Sequence, residues 1–433
     1  MGTESARGRG RRPERQPRAV VVYAVSALTL LGAAGIAPVL PVMLRDLSLT
    51  EPQTGLVMTA YTLPVVVTVP AVGWLADRVG RRPPLVAGLF LFGVAGALVF
   101  FARDLPTILA LRALQGVGFS AISPLTITLL GDLFEGDAEA GAQGLRVVAV
   151  NLGGFAFPVV AGALAAVAWN LPFLLFLLAI PAGLAVQWWF PEPGPSVEAS
   201  RRSDVGSGRS ASADAPPNRE ATTEAPGRPG GQADESVWRA VRRPLVAGTL
   251  VLGVVRFFLA YGVLTFLPLL VTAGGVGVGS VGVVVGSISG VKVLVASQSR
   301  RSFNLGPLGL VMAGAVLASG LVVTTFPAAG SLPAFVGLAG VYGVSEGVIA
   351  PLQKSALTQG VGDDVRASVV SLNEVLKNLG KTAAPVAVGL VVADWGLGAG
   401  FLAMGLASAL VAGVVLVAFA RTPHGAPVGT PGP

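Results

Sequence analysis

The sequence predicts an all-α membrane protein: twelve transmembrane helices in two pseudo-symmetric six-helix bundles. Three observations predict it. Hydrophobic residues are 53% and charged residues 12% of the 433 residues, about half the charge of a soluble domain, and the mean hydropathy is +0.73. About twelve apolar runs come near or exceed the roughly 20 residues a helix needs to span hydrocarbon. The two halves also repeat at one fixed offset.

A basic tail, 1–18, comes first, with Arg7, Arg9, Arg11, Arg12, Arg15 and Arg18 ahead of the first apolar run. No aromatics interleave these arginines, as a base-stacking surface would require. The net charge of +7 is therefore read as a membrane-topology signal, with no nucleic-acid partner. The first run is longer than the apolar core of a signal peptide. Six runs, near 19–44, 54–76, 85–102, 106–131, 144–167 and 171–190, make an N-terminal bundle over 19–190. Six more, near 244–271, 276–298, 305–325, 332–355, 367–392 and 397–420, make a C-terminal bundle over 244–420.

Between them, 191–243 is rich in Pro, Gly, Ser and Ala, with eight arginines balanced by eight acids. Such a composition buries too little apolar surface to fold, so a disordered cytoplasmic linker is expected, ending in a short surface helix near Val237–Arg243. A short tail, 421–433, closes the chain. Alternate loops hold Arg78, Arg81, Arg82, Arg146, the linker arginines, Arg300, Arg301 and Arg366, while the opposite loops hold only Arg45 and Arg103. That asymmetry predicts both termini in the cytoplasm of a multi-pass plasma-membrane protein.

The repeat is an offset of 227 residues. Gly116, Ile122 and Pro124 overlay Gly343, Ile349 and Pro351; Asn151, Gly153, Pro158 and Gly162 overlay Asn378, Gly380, Pro385 and Gly389. Trp169 and Trp395 match within one residue. Parallel six-span repeats are a transporter layout, with the site between them near the midplane.

Composition excludes much chemistry. There is no cysteine and a single histidine, His424, so thiolate, iron–sulfur and histidine-based metal sites are ruled out, as is a Ser-His-Asp triad. No enzyme activity, metal or cofactor is expected. Gly380-Lys381-Thr382 lacks the first glycine of a P-loop, because position 375 is Val. Gly277-x-Gly279-x-x-Gly282 opens an apolar span and no acid follows about 20 residues on, so it is no dinucleotide site. Gly282, Gly286 and Gly290 instead form a small-residue packing stripe. With no nucleotide site, transport would be facilitated or coupled to an ion gradient.

Four motifs carry the functional expectation. Gly73-Trp74-Leu75-Ala76-Asp77-Arg78-Val79-Gly80-Arg81-Arg82 joins the second and third spans; Gly80 permits a positive φ and the arginines suit anionic headgroups. The string resembles the signature loop of the major facilitator superfamily (MFS), G-x-x-x-D-R-x-G-R-R. The resemblance implies that Asp77 meets the start of the eleventh span, near Arg366–Ser368, in one state; a helix N-terminus attracts a carboxylate. The equivalent loop of the second half, Ser297 to Ser302, lacks the Gly and Asp.

Arg112-x-x-Gln115-Gly116-x-Gly118 in the fourth span resembles the family's R-x-x-Q-G-x-G element, which implies proton transfer or substrate contact. A buried arginine tied to neighbouring carbonyls is the structural alternative. Gly144, Gly153, Pro158 and Gly162 in the fifth span are similar to the antiporter motif of drug:proton exporters, with Phe157 and Ala161 standing where the motif has glycines. Small residues and proline there let helices pack closely and bend.

The eleventh span is informative by chemistry alone. Ser371, Glu374, Lys377, Asn378, Lys381 and Pro385 fall on one helical face. Such a stripe faces protein or water, not lipid. With Arg256, Lys292 and Glu346, the second half holds four intramembrane cations against two acids. Each unpartnered charge would cost about 2.5–3.5 kcal/mol. The expected function is secondary transport by rocking bundles, working as a monomer on a small-molecule substrate with protons as the coupling ion. Proton-coupled efflux of drug-like compounds is the first reading. An organic-anion carrier using the cationic second half is the alternative, and a non-transporting sensor a third.

Overall fold

The computed structural model describes residues 17–190, 237–296, 298, 307–359 and 361–421. The basic tail before Pro17, the linker up to Val237, most of the 297–306 loop and the tail beyond Arg421 lie outside the described residues, and so do the expectations made for them. All regular structure among the described residues is helical.

The first span is not the single helix that its apolar run predicted. Helix Pro17–Ala27 continues as a 3-10 turn, Leu28–Leu30, then unwinds over residues 31–36 before Ala37–Val39 and Leu40–Asp46. The cause is local. Gly35 N–H reaches back five residues to the Leu30 carbonyl, at 3.1 Å, and Pro38 has no N–H to continue the ladder. The length rule sees only apolar residues, so it hides this break.

Spans two to six are Glu51–Val79, Arg82–Leu98 with its 3-10 extension to Phe101, Leu105–Leu133, Gly136–Ala165, and Leu171–Trp189. The sixth begins with a 3-10 stretch, Leu171–Leu178. The expected surface helix is Val237–Arg242. Spans seven to ten are Pro244–Ala273, Val278–Ala296, Leu308–Thr325 and Leu332–Gln359. Spans eleven and twelve share one helical segment, Asp363–Arg421, folded back at Gly396, where φ is 83° and ψ 170°. That conformation is open essentially only to glycine.

Ten helical segments are long and apolar enough to cross a membrane, the last of them 54 residues long. Splitting that segment at Gly396 and adding the broken first span gives twelve crossings. Span ends alternate between two sides. Arg81 pairs with Asp132, and Arg82 donates to the Gln187 carbonyl, on the side that holds Pro17 and Arg421. This is called the terminal side. On the far side, Arg103 and Asn170 both donate to the Phe100 carbonyl.

The repeat is built from glycines that sit on backbone carbonyls. Gly153 lies on the Ala27 carbonyl and Gly380 on that of Val254. Gly116 lies on the Tyr61 carbonyl and Gly343 on that of Ile288. Every partner in these pairs is displaced by the same 227 residues. A Cβ at any of these glycines would meet the carbonyl oxygen, so the helices could not approach as closely. The matched tryptophans have diverged: Trp169 is 8% exposed and Trp395 73%.

Candidate functional site

The halves meet through two such pairs as well. Gly55 of span two lies on the Pro385 carbonyl of span eleven, and Gly282 of span eight on the Pro158 carbonyl of span five. Gly162 also packs on Gly282, Gly286 on the Phe155 carbonyl, and Gly389 on Pro52. Thr59 Oγ1 donates to the Thr382 carbonyl at 3.3 Å. All these residues lie in the far-side halves of their spans or near the middle. Toward the terminal side the picture changes. A side chain at Gly73, Gly80, Gly141 or Gly144 would meet nothing within 4 Å. The bundles are thus joined on the far side and parted on the terminal side.

Of the span-five motif, Gly153 packs on span one, Pro158 and Gly162 pack on span eight, and Gly144 faces open space. In the loop after span two, Gly80 has φ 87°, and Arg78 lies over the Trp74 ring at 3.9 Å. Asp77 is exposed and has no hydrogen bond or ion pair among the described residues. Its expected contact with Arg366–Ser368 is not made in this parted arrangement.

Arg112 is fully buried in the N-terminal half, 0% exposed. Its Nη2 donates to the Gly32 carbonyl at 2.7 Å, its Nε to the Val57 carbonyl at 3.4 Å, and its Nη1 to Gln115 Oε1. The guanidinium lies over the Tyr61 ring at 4.5 Å. One cation thus ties the broken first span to spans two and four. Its printed partners are neutral, and the geometry matches the carbonyl-bound alternative weighed for this residue. Gly116 and Gly118 press span four onto Tyr61 and Phe92, in spans two and three. Asn151 stands apart; its Nδ2 donates to the Val147 carbonyl of its own helix at 2.8 Å.

The charges of the C-terminal half do come together. Arg256 grips Glu346 through Nε, 3.1 Å from each carboxylate oxygen, and through Nη2, 2.9 Å from Oε2. Arg256 Nη1 donates to Gln353 Oε1 at 2.9 Å, and Gln353 Nε2 to Asn373 Oδ1 at 3.2 Å. Lys292 Nζ stands 3.6 Å from Glu346 Oε2. This network links spans seven, eight, ten and eleven. On span eleven, Lys377 pairs with Glu374 at 2.6 Å, and Lys381 donates to Asn378 Oδ1 at 2.9 Å. Arg256, Lys377 and Lys381 all lie about the Phe257 ring, at 5.1, 4.9 and 4.8 Å.

Sequence reasoning missed Phe257, Tyr261, Gln353, Asn373 and Tyr61. Gln353 lies seven residues, two helical turns, beyond Glu346, so its spacing carried a signal. The aromatic residues carried none, since each is one apolar residue within an apolar run.

A bundle pair parted on one side, with buried charge at its centre, defines a membrane transporter. The sequence profile of the Major Facilitator Superfamily matches residues 22–381. The chain belongs to that superfamily and is a multi-pass membrane transporter, not an enzyme. It is 34% identical over 161 residues to a bacillibactin exporter of Bacillus subtilis (strain 168), covering 36% of this chain and 40% of that one. It is 35% identical over 161 residues to the puromycin resistance protein pur8 of Streptomyces alboniger, covering 37% and 32%. It is 29% identical over 153 residues to the quinolone resistance protein NorA of Staphylococcus aureus, covering 35% and 39%. The matched stretches thus span well under half of each relative. Among solved structures, a bacterial homolog of the human lysosomal transporter Spinster, inward-facing and occupied, aligns with TM-score 0.73 at 14% identity, over 95% of this chain and 98% of that one. The nucleoside transporter NupG aligns with TM-score 0.70 at 11% identity, over 94% and 99%.

Proposed function

We propose that this protein exports small organic compounds from the cell, driven by the proton gradient, through alternating access of its two bundles. The observation that carries this reading is the one-sided interface. Glycine–carbonyl contacts close the far half at spans two and eleven and at spans five and eight, while Gly73, Gly141 and Gly144 face open space on the terminal side. This is the form expected of one end state of a rocking pair. Drug resistance and siderophore export in the names of partial relatives favour efflux.

The terminal side carries Arg78, Arg81 and Arg82, and the far-side loops hold Arg45 and Arg103. By the positive-inside rule the terminal side faces the cytoplasm of a plasma-membrane protein. The state described here then opens inward. In the outward-open state Asp77 would meet the start of span eleven and close the terminal side. Each half moves as one body, and the monomer is the working unit.

Glu346 and Glu374 are the proton-handling candidates, since Arg112 is committed to carbonyls and the first span holds no carboxylate before Asp46. The test uses the full chain in proteoliposomes loaded with a fluorescent dye. An imposed pH gradient should drive dye movement, and Glu346→Gln or Glu374→Gln should abolish the pH dependence. Gradient-driven transport retained in both single variants and in the double variant would overturn proton handling at these sites.

A further inference from the structure

We infer that the apex of the terminal-side opening is a binding site for an organic anion, with Lys381 and Lys292 as the residues that hold its acidic group. The inference rests on the exporter reading above and names its substrate class.

The argument begins with position. Lys381 directly precedes Thr382, whose carbonyl accepts from Thr59 of the opposite half. Lys292 follows by two residues Gly290, which faces Phe155 of the opposite half. Both lysines therefore stand at the level where the bundles stop touching, one on each interface of the C-terminal half. Toward the terminal side of them the helices part, and Ser371 and Glu374 are exposed.

Charge comes next. The two acids of the cluster are already engaged. Glu346 receives three hydrogen bonds from Arg256, and Glu374 pairs with Lys377 at 2.6 Å. Subtracting these two pairs from four cations and two acids leaves a charge of plus two, on Lys292 and Lys381. Lys292 only leans on the carboxylate that Arg256 holds, at 3.6 Å. Lys381 has neutral company: Asn378 at 2.9 Å and the rings of Phe257 and Tyr261, at 4.8 and 6.0 Å. Arg112, the buried cation of the other half, is taken up by carbonyls and Gln115.

Two cations without counter-charge in a membrane interior are costly unless water or an anion reaches them. An opening that ends on them admits both. Phe257 and Tyr261 add an apolar, aromatic wall beside the lysine heads, which suits the body of an organic acid better than a bare inorganic ion.

The experiment uses the purified full-length protein in detergent. Naphthoate, naphthylmethanol and naphthylmethylammonium share one ring and differ in charge; chloride and phosphate serve as inorganic probes. Binding is read as thermal stabilisation against ligand concentration. Naphthoate should stabilise most. Lys381→Gln and Lys292→Gln should each weaken its apparent affinity about ten-fold, Lys381→Arg should restore it, and Arg103→Gln on the far side should leave it unchanged. Melting without ligand shows whether each variant is folded, and Lys381→Arg keeps the test intact if the glutamine variant is not. Equal stabilisation by the alcohol or the ammonium compound would overturn the anion class. Stabilisation by chloride or phosphate that displaces naphthoate would assign the site to an inorganic anion and overturn the organic one. If proteoliposomes still pump a cationic dye in either case, the exporter reading survives; if no compound binds and none is pumped, that reading fails with it.

Discussion

Gly282 lies directly on the carbonyl of Pro158, and 227 residues earlier in each partner's repeat Gly55 lies on the carbonyl of Pro385. The contacts are related by the internal repeat, and together they hold the far side shut. Overpacking a tight contact typically costs about 1–3 kcal/mol, and about 1.4 kcal/mol shifts a two-state population ten-fold. Gly282→Val should therefore open the far side. Val159 packs beside Gly286 in that seam, and the chain has no native cysteine. A cysteine placed at Val159 should react faster with a membrane-impermeant thiol reagent in the Gly282→Val background. Gly144→Val, where nothing lies within 4 Å, should change nothing. Equal labelling in all three proteins would contradict this.

Glu346→Leu alone should cost about 3–5 kcal/mol, because it strands Arg256 and Lys292 in the bundle interior. Arg256→Met combined with Glu346→Leu should recover part of that loss, the sign of a coupled pair. Thermal melting of the single and double variants checks it. Simple additivity would mean that the three hydrogen bonds of this pair contribute little.

Arg112→Lys should fail to replace arginine. Three planar donors reach Gly32, Val57 and Gln115 at once, and a lysine offers a single point charge in place of that fork. The expected outcome is a lower melting temperature together with faster proteolysis near the broken first span. A lysine variant as stable as the parent would mean that the Gly32 carbonyl needs no cap.

Outside the membrane, Asp104 caps the fourth span by accepting the Thr107 N–H at 2.9 Å. That hydrogen bond holds its carboxyl below the ordinary aspartate value. The folded state therefore favours the ionised form, a contribution present above the unfolded-state pKa and lost as pH falls through the lower folded one. Asp104→Ala should lower the melting temperature slightly at neutral pH and by progressively less below about pH 4. A deficit that stays constant with pH would assign the effect to packing.

Much of the fold was legible because membrane helices advertise themselves by length and the repeat by an unchanged offset. The glycines matched between the halves, Gly116 with Gly343 and Gly153 with Gly380, are the ones that sit on equivalent carbonyls. The one-face stripe of span eleven likewise gives Glu374–Lys377 and Asn378–Lys381 as neighbours. Backbone partners were not legible. Nothing in the side chain of residue 32 says that its carbonyl will receive Arg112, because that carbonyl is freed only when the first span unwinds. Phe257 was equally hidden, since one aromatic in an apolar run carries no mark of the three cations around it.

Alternating access is tested most directly by two distances in one protein. Spin labels at Val147 and Leu294, both exposed and toward the terminal side, report the parted end of spans five and eight. Labels at Val167 and Gly277, both exposed in the far-side loops, report the joined end. A change of pH or addition of a transported compound should shorten the first distance while lengthening the second. If both stay fixed across every condition that supports transport, or both lengthen together, the rocking account is wrong.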